Sequence, residues 1–529
     1  MTLFKACILA AGVFWTVVAG AEYQAFDLQT PGGWGSIATS INGSTQVIGD
    51  LFTNEGGNHA FLWNNTTQSM QDLETLGGTW SSSFAINAAG KVVGDSENGE
   101  GAYHAFLWDS VNGMRDLQGL GGDWSHADAI NSLGQVAGDS NDTNGDIHAF
   151  FWDGAQMHDL ETLGGDWSYT GAINAAGQVV GDSLTGDLED HAFLWQSPGP
   201  MQDLGTLGGG WSYASSINDC GEVVGGSETV GGEEHAFVWD DINGMQDLGT
   251  LPGGASSTAY DINIWGEIVG RSQIGSGDDH AVLFRRVETP IRDLITHFYN
   301  AVLGRPPEPC AVSSWERYFK YALNFNIDVQ FIPSELGRAF FLSEEYQNRH
   351  RSNAGFITDC YVTFLQRPPS TGELNAWLSG VWNRPQVVAM FANCTESGDY
   401  ISTLFPGLSG RPTRNFVCTM YIGFHDRLVD EGGLNFWSNV FDNATNKRQT
   451  AISMGQGIVR SEEFLSKKPT FETIVVRLYR ALLGRFPADN EIAHWAGELY
   501  AGRQTVDNLI NLFANSQEFT QILDTYFSL

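Results

Sequence analysis

Six histidines recur at nearly equal intervals, His59, His104, His148, His191, His235 and His280, with steps of 45, 44, 43, 44 and 45 residues. Imidazoles can ligate metals or carry protons. A residue present in every copy of a unit, however, normally serves the unit, here by donating to a turn carboxylate or a backbone carbonyl. A metal centre or an active site breaks such symmetry. Five tryptophans follow glycine-rich turns: Trp34, Trp80, Trp124, Trp167 and Trp211. Projecting from one face they would stack on sugar rings; wedged between neighbouring units they would be packing. Their repetition favours packing, and they remain the ligand-binding candidates.

A third candidate is the oxygen-rich stretch ahead of the third histidine, which contains Asp139, Asn141, Asp142, Asn144 and Asp146. Alternating Asp and Asn suit a hard cation such as calcium. Its glycine is misplaced for an EF-hand and no bidentate glutamate follows at the right distance, so solvation of an exposed loop explains the charge more simply. No other cofactor is required. Nucleophile elbows of the form Gly-x-Ser-x-Gly, His-Glu-x-x-His and Gly-x-x-x-x-Gly-Lys are absent. Paired carboxylates meeting in a central channel would suit glycoside hydrolysis, but the abundance of acids singles out no pair.

The elements that hold these residues are repeats. Each histidine opens a His-Ala-Phe-Leu-Trp run whose side chains alternate as in a strand with two distinct faces. An Asp-Leu pair recurs at Asp27, Asp72, Asp116, Asp159, Asp203 and Asp247. Between them lie a Gly-Gly turn, an Ile-Asn pair and a Val-Val-Gly-Asp type run. Four strands in about 44 residues is the size of a propeller blade. Six units predict a six-bladed β-propeller over residues 22–288, closed between the strands near Phe26 and Leu283; a β-solenoid is the alternative. The unit resembles the extracellular repeat family named for its His-Ala-Phe (HAF) signature. That resemblance implies a secreted bacterial protein and no activity.

Charge separates this half from the next. Of the chain's 529 residues and net charge of −35, residues 22–288 hold 5 basic and 38 acidic residues, a balance of −33. Nucleic acid is excluded as a partner of that half, because phosphates require clustered cations. From Thr289 the balance is −3 and the signals are helical. Tyr299-x-x-x-Leu303-Gly304-Arg305-Pro306 returns as Tyr361…Arg367-Pro368, weakened as Tyr421…Arg427, and as Tyr479…Gly484-Arg485. A tryptophan stands ten residues after each arginine, at Trp315, Trp377, Trp437 and Trp495. These are four α-helical units of about 60 residues spanning 289–529. They resemble the bacterial domain of unknown function 4214, itself similar to phycobilisome linker domains. The resemblance implies a docking or spacer module. Buried Arg305–Glu345 and Arg485–Glu518 pairs are expected to fasten each unit's first helix to its last.

Residues 1–21 read as a secretion signal: Lys5 is the sole charge, and the apolar stretch Ala6 to Val18 is too short to span a bilayer. No later stretch predicts a transmembrane segment. In an exported chain, Cys310, Cys360, Cys394 and Cys418 are disulfide candidates, with Cys360–Cys394 favoured among three pairings and Cys220 left unpaired. The whole is an all-β domain followed by an all-α domain in a secreted, extracellular or surface-associated protein. Its expected role is non-enzymatic binding or adhesion, with an extracellular glycan or protein ligand and self-association through the helical repeats. A secreted carbohydrate-active enzyme and a purely structural matrix component are the competing classes.

Overall fold

Apolar runs flanked by glycine turns fold as the alternation requires, into short antiparallel strands. The computed structural model describes residues 26–30, 32–287, 289–324, 331–380, 384–392, 394–404, 412–425, 429–484 and 487–527. It divides into one unit ending at Arg286 and a second beginning at Val287. The segment 1–21 lies outside the described residues.

The first unit is all β. Repeat one comprises β1 (Gly33–Ile41), β2 (Gln46–Thr53), β3 (Asn58–Asn64) and β4 (Ser69–Asp72). Repeat two follows as β5 (Gly77–Ile86), β6 (Val92–Asn98), β7 (Tyr103–Asp109) and β8 (Gly113–Gln118). Repeat three holds β9 (Gly121–Ile130), β10 (Val136–Asp142), β11 (Ile147–Trp152) and β12 (Met157–Asp159). Repeat four holds β13 (Gly164–Ile173), β14 (Val179–Thr185), β15 (Asp190–Trp195) and β16 (Gln202–Asp203). Repeat five holds β17 (Gly208–Ile217), β18 (Val223–Thr229), β19 (Glu234–Asp240) and β20 (Gly244–Asp247). Repeat six has three described strands, β21 (Ser257–Ile262), β22 (Ile268–Gln273) and β23 (Asp279–Phe284). Within a repeat the strands form an antiparallel meander, and single parallel bridges such as Asn58 to Trp80 join successive meanders into a 20-stranded sheet.

Both faces of the His-Ala-Phe strands in repeats two to five are buried, because a neighbouring repeat lies on either side. Phe106 and Trp108 pack back onto Ile48 and Leu62 of repeat one, while Leu107 packs forward onto Val136 and Phe150 of repeat three. The glycine of the Val-Val-Gly run has a steric cause. A Cβ on Gly94 would sit 1.9 Å from the Ser82 carbonyl oxygen, where the register slips between Ser83 and Ala85.

The second unit is all α and shares one apolar core, with Phe298, Phe341, Phe416, Leu478 and Phe519 among its members. The helices at the starts of the four expected units are Pro290–Phe298, extended by a π-helical turn to Leu303, then Asn353–Leu365, Pro412–His425 and Phe471–Leu483. Gly304 and Gly484 end two of them in the left-handed region at φ 66° and 63°, and Gln366 takes that role in the second. None of the described helices is long and apolar enough to cross a membrane.

The cysteines differ from expectation. Cys360, Cys394 and Cys418 are free thiols, so the favoured Cys360–Cys394 bridge is not formed. Cys360 and Cys418 lie on separate first helices with their side chains in the core, and Cys394 donates to the Phe391 carbonyl at 3.3 Å. Cys220, expected to be unpaired, belongs to a disulfide, as does Cys310.

Candidate functional site

The histidines belong to the scaffold of each repeat. His59, His104, His148, His191 and His235 each set Nδ1 within 2.8–3.0 Å of a carboxylate oxygen, on Asp72, Asp116, Asp159, Asp203 and Asp247 respectively. These are the acids of the Asp-Leu pairs, so strands three and four of a repeat are pinned at their ends. Two serines per repeat do comparable work between repeats. Ser125 Oγ accepts from the Ala105 N–H of the preceding repeat at 2.8 Å, and Ser140 Oγ accepts from the Leu120 N–H at 2.9 Å. The asparagine of each Ile-Asn pair but the last donates its side-chain amide to the backbone carbonyl of its counterpart one repeat later. The ladder runs Asn42 to Asn87, Asn131, Asn174, Asn218 and Asn263, with rungs of 3.0–3.1 Å. Neither the serines nor this ladder was singled out from composition or motif. The 43–45 residue period at which they recur is the signal that marks them.

The ladder lines a concavity. Asn131, Asn174 and Asn218 with Ile173, Ile217 and Ile262 surround a cavity of about 310 Å³. Counterpart residues of four successive repeats meet there, so the array curves with the ladder on its inner side. Asp219 is the carboxylate at this cavity, and it accepts from the Ala175 N–H at 2.8 Å.

The candidate tryptophans are placed at the parallel bridges between repeats. Trp80, Trp124, Trp167 and Trp211 are half-buried, each beside another ring: Tyr103, His126, Tyr169 and Tyr213, with centroids 5.3–6.1 Å apart. Trp34 stacks on Phe52 at 5.0 Å and is 72% exposed.

One cross-strand position breaks the symmetry of the repeats. On the second strand it holds Asp50, Asp95, Asp139, Asp182, Gly226 and Arg271; opposite stand Ile37, Ser82, His126, Tyr169, Tyr213 and Thr258. Several of these side chains form polar contacts that reach neighbouring strands and repeats. Ser82 donates to Asp50 at 2.8 Å, and the Thr170 N–H donates to Asp139 at 2.7 Å. His126 lies 3.3 Å from Asp95 and 3.0 Å from Asp128. The Tyr213 and Thr258 hydroxyls both donate to Glu234 at 2.7 Å, and Arg271 bridges Glu234 and Asp279.

Protons are held tightly along this seam. Burial by itself would depress His126, but the carboxylates of Asp128 and Asp95 outweigh it and lift the imidazole to about 10. Burial, followed by the charge of Asp128, raises Asp139 well above the carboxylate range. Burial and then Asp190 lift Asp182 to about 7, and burial lifts Asp190 to about 6 against the opposing charge of His191. Asp95, Asp128 and Asp190 each keep one buried oxygen without a hydrogen bond.

The candidate calcium loop is a hairpin end. Asp142 Oδ1 accepts from the N–H groups of Asn144, Gly145 and Asp146 at 2.7–3.0 Å. Asp139 and Asn141 lie back along β10, Asn141 donating to Asp123. Asn98 closes the corresponding turn of repeat two in the same way. Among the described residues no three carboxylate, imidazole or thiol groups converge as a metal site.

In the helical unit Arg305 meets Glu345 through two 2.7 Å hydrogen bonds and lies 5.4 Å over the Tyr299 ring. Arg367 repeats this with Glu396 and Tyr361. The expected pair forms at the surface rather than in the core, with the Arg305 and Glu345 side chains 33% and 44% exposed, because both stand at helix ends. Arg485 lies outside the described residues, and its expected partner Glu518 is half-buried. Arg305→Ala should therefore lower stability by only about 1 kcal/mol, read as a small shift of the melting transition; a loss several times larger would place the pair in the fold's core. A cavity of about 690 Å³ opens beside Trp315, Tyr318, Glu335, Arg338 and Arg480, where Arg338 and Glu335 pair at 2.7 Å.

Solved structures similar to the chain include TolB from Acinetobacter baumannii, at 12% identity over 43% of this chain and 57% of that one, with a TM-score of 0.29. A puromycin-hydrolyzing peptidase from Mycobacterium tuberculosis matches at 12% identity over 52% of this chain and 48% of its own, with a TM-score of 0.35. The β-propeller domain of the Trilobed protease from Pyrococcus furiosus matches at 8% identity over 48% of this chain and 97% of its own, with a TM-score of 0.25. The chain thus spans about half the length of the first two. No curated protein matches the sequence. Residues 455–522, which contain the Tyr479…Gly484 helix end and Trp495, match the family model of the domain of unknown function DUF4214.

Proposed function

We propose that the chain is a secreted, non-enzymatic binding protein. Its six β repeats act as the blades of a propeller that recognises an extracellular ligand, and its helical repeats serve surface association or assembly. The observation that carries this reading is the row of half-buried tryptophans at one position of four consecutive repeats, each beside a second ring. An indole held open by its neighbour offers an apolar face to a sugar ring, while the surrounding carboxylates and amides offer acceptors for its hydroxyls. Trp34, stacked and largely exposed, extends the row. The turn at Asp142 is the place where calcium would enter, if it takes part.

A carbohydrate-active enzyme is favoured by one separate observation. Asp182 and Asp190 are carboxyls of a single repeat that keep protons near neutrality, as a general acid must.

A glycan array probed with the full chain, with and without calcium, tests both. Binding that falls more than about tenfold in Trp167→Ala, with an unchanged circular dichroism spectrum, is the expected result. Absence of binding under every condition overturns the ligand reading. Hydrolysis of a bound glycan that Asp182→Asn abolishes would establish the enzyme instead.

A further inference from the structure

The two ends of the β array are left uncovered, and they carry opposite halves of the contact that joins the repeats inside it. At the trailing end Val269 is 48% exposed and Leu283 46%, whereas their counterparts in repeat two, Val93 and Leu107, are 0% and 1% exposed under repeat three. At the leading end Ala38 is exposed, whereas its counterparts Ala127 and Ala259 are fully buried against the preceding repeat; Ile37 and Ile41 beside it are 56% and 61% exposed.

The polar groups match as well. Asn263 is exposed at the trailing end and its amide has no rung to make, while the counterpart acceptor, the carbonyl of Asn42, opens the ladder at the leading end. Ser36 donates to the Gln29 carbonyl at 3.3 Å, as its counterpart Ser81 does to that of Glu74 at 2.6 Å. Ser81 also accepts from the Ala60 N–H; the matching donor for Ser36 is the N–H of Ala281 in repeat six. β23 is an edge strand of its sheet, and His280 has no carboxylate partner among the described residues. Asp27 accepts from the Gln29 N–H at 2.9 Å, the contact that Asp72 makes with Glu74, and it has no histidine.

We infer that these ends engage each other between chains, the sixth repeat of one copy docking on the first repeat of a second copy. The partner is a second copy because the interface already exists five times within the chain, and both of its halves stand open at once in a single chain. Charge permits it. Repeat six, over residues 252–286, has three arginines against four acids, whereas repeat three, over 121–163, has eight acids and no basic residue. The acidic self-repulsion of the array is thus weakest at the trailing face. Such a head-to-tail contact joins different surfaces, so it extends into a chain or closes into a larger ring. It would make contacts like the internal ones: Asp27 with His280, Ser36 with the Ala281 N–H, and Asn263 with the Asn42 carbonyl.

The test uses two blocked ends. The full chain, followed by light scattering across a concentration series, should grow in whole-chain steps. Ile37→Glu blocks the leading face and Val269→Glu the trailing face, so either variant alone should stay monomeric, weakening association by more than about tenfold. Because each retains one open end, an equimolar mixture should form 1:1 dimers and nothing larger. A wild-type chain that is monomeric at every concentration overturns the inference, and melting temperatures lowered in both variants would then assign the ends to closure within one chain. Association that both variants leave intact overturns it too, by placing self-association elsewhere, as in the helical repeats. Neither outcome depends on whether a glycan binds.

Discussion

The melting temperature of the β unit will fall as pH rises from 4 to 10, and Asp182→Asn will remove the first part of that fall. An Asp whose folded pKa lies above its unfolded value binds its proton more tightly in the folded state. Its contribution is complete below the unfolded pKa, about 3.9, and is lost as pH rises through the folded value. For Asp182, raised to about 7 by burial and Asp190, that window runs from about pH 4 to 7. The differential is on the order of 4 kcal/mol, at about 1.4 kcal/mol per unit. Asn keeps the shape without the charge, so Asp182→Asn should be the more stable protein at pH 8 and nearly equal to wild type at pH 4.

His126 extends the same trend. Its folded pKa of about 10 exceeds the usual 6.5 or so, so its contribution is complete below pH 6.5 and disappears through pH 10. His126→Ala should therefore be costly at pH 7, where it strands Asp95 and Asp128, and nearly silent above pH 10. Calorimetry of the full chain, in which the two units can melt separately, measures both. A β-unit transition that stays level between pH 4 and 8, or an Asp182→Asn chain no more stable at pH 8, would show these carboxyls to be solvated.

What a linear reading can recover depends on whether a residue's role is periodic. The repeat length, the all-β and all-α halves and the place of the helix ends follow from spacing. Gly304 and Gly484 end helices because only the left-handed region turns the chain there. The His–Asp pairing was legible for the same reason, since both residues recur in step. The Asn ladder recurs just as regularly, but its partner is the carbonyl of the same position one repeat later. Backbone carbonyls leave no mark in a sequence. The seam was hidden for the opposite reason. Its second-strand position reads Asp, Asp, Asp, Asp, Gly, Arg, and only the cross-strand register reveals that His126 and Tyr169 stand opposite it.

Two of the expectations that failed did so on placement rather than on chemistry. Cys360 and Cys394 both lie in the second helical unit, but Cys360 is buried mid-helix and Cys394 turns back to its own preceding carbonyl. The Arg305–Glu345 pair was expected in the core because it recurs; recurrence fixes geometry without requiring burial. The same distinction bears on the tryptophans. Their place at the bridges between repeats accounts for their recurrence, and their half-exposure leaves a face for a ligand.

Asn131→Ala should be among the more damaging small substitutions in the β unit, and Asn263→Ala one of the mildest, although the two residues occupy the same position of the repeat. Asn131 is 5% exposed and makes four side-chain hydrogen bonds. Its Oδ1 accepts from the N–H groups of Leu133 and Gln135, and its amide donates to Gln135 and to the Asn174 carbonyl of repeat four. Truncation removes a buried rung between repeats and the part-buried bonds that shape the turn, although the Asn174 carbonyl keeps the Gly177 N–H. At about 1 kcal/mol for each hydrogen bond, the sum is on the order of 2–4 kcal/mol. Asn263 keeps the local bonds to Trp265, Glu267 and the Glu267 carboxylate, but it is exposed and makes no rung, so water can replace what Ala removes. Its loss should cost about 1 kcal/mol. In a repeat array the stability of each unit is shared with its neighbours through the interface. Asn131→Ala should therefore also speed amide hydrogen exchange in repeats three and four ahead of the rest. Equal losses at the two positions would mean that the ladder only shapes each turn. A large loss confined to Asn131 would identify the rung as the coupling between repeats, the coupling that a second copy would extend past Asn263.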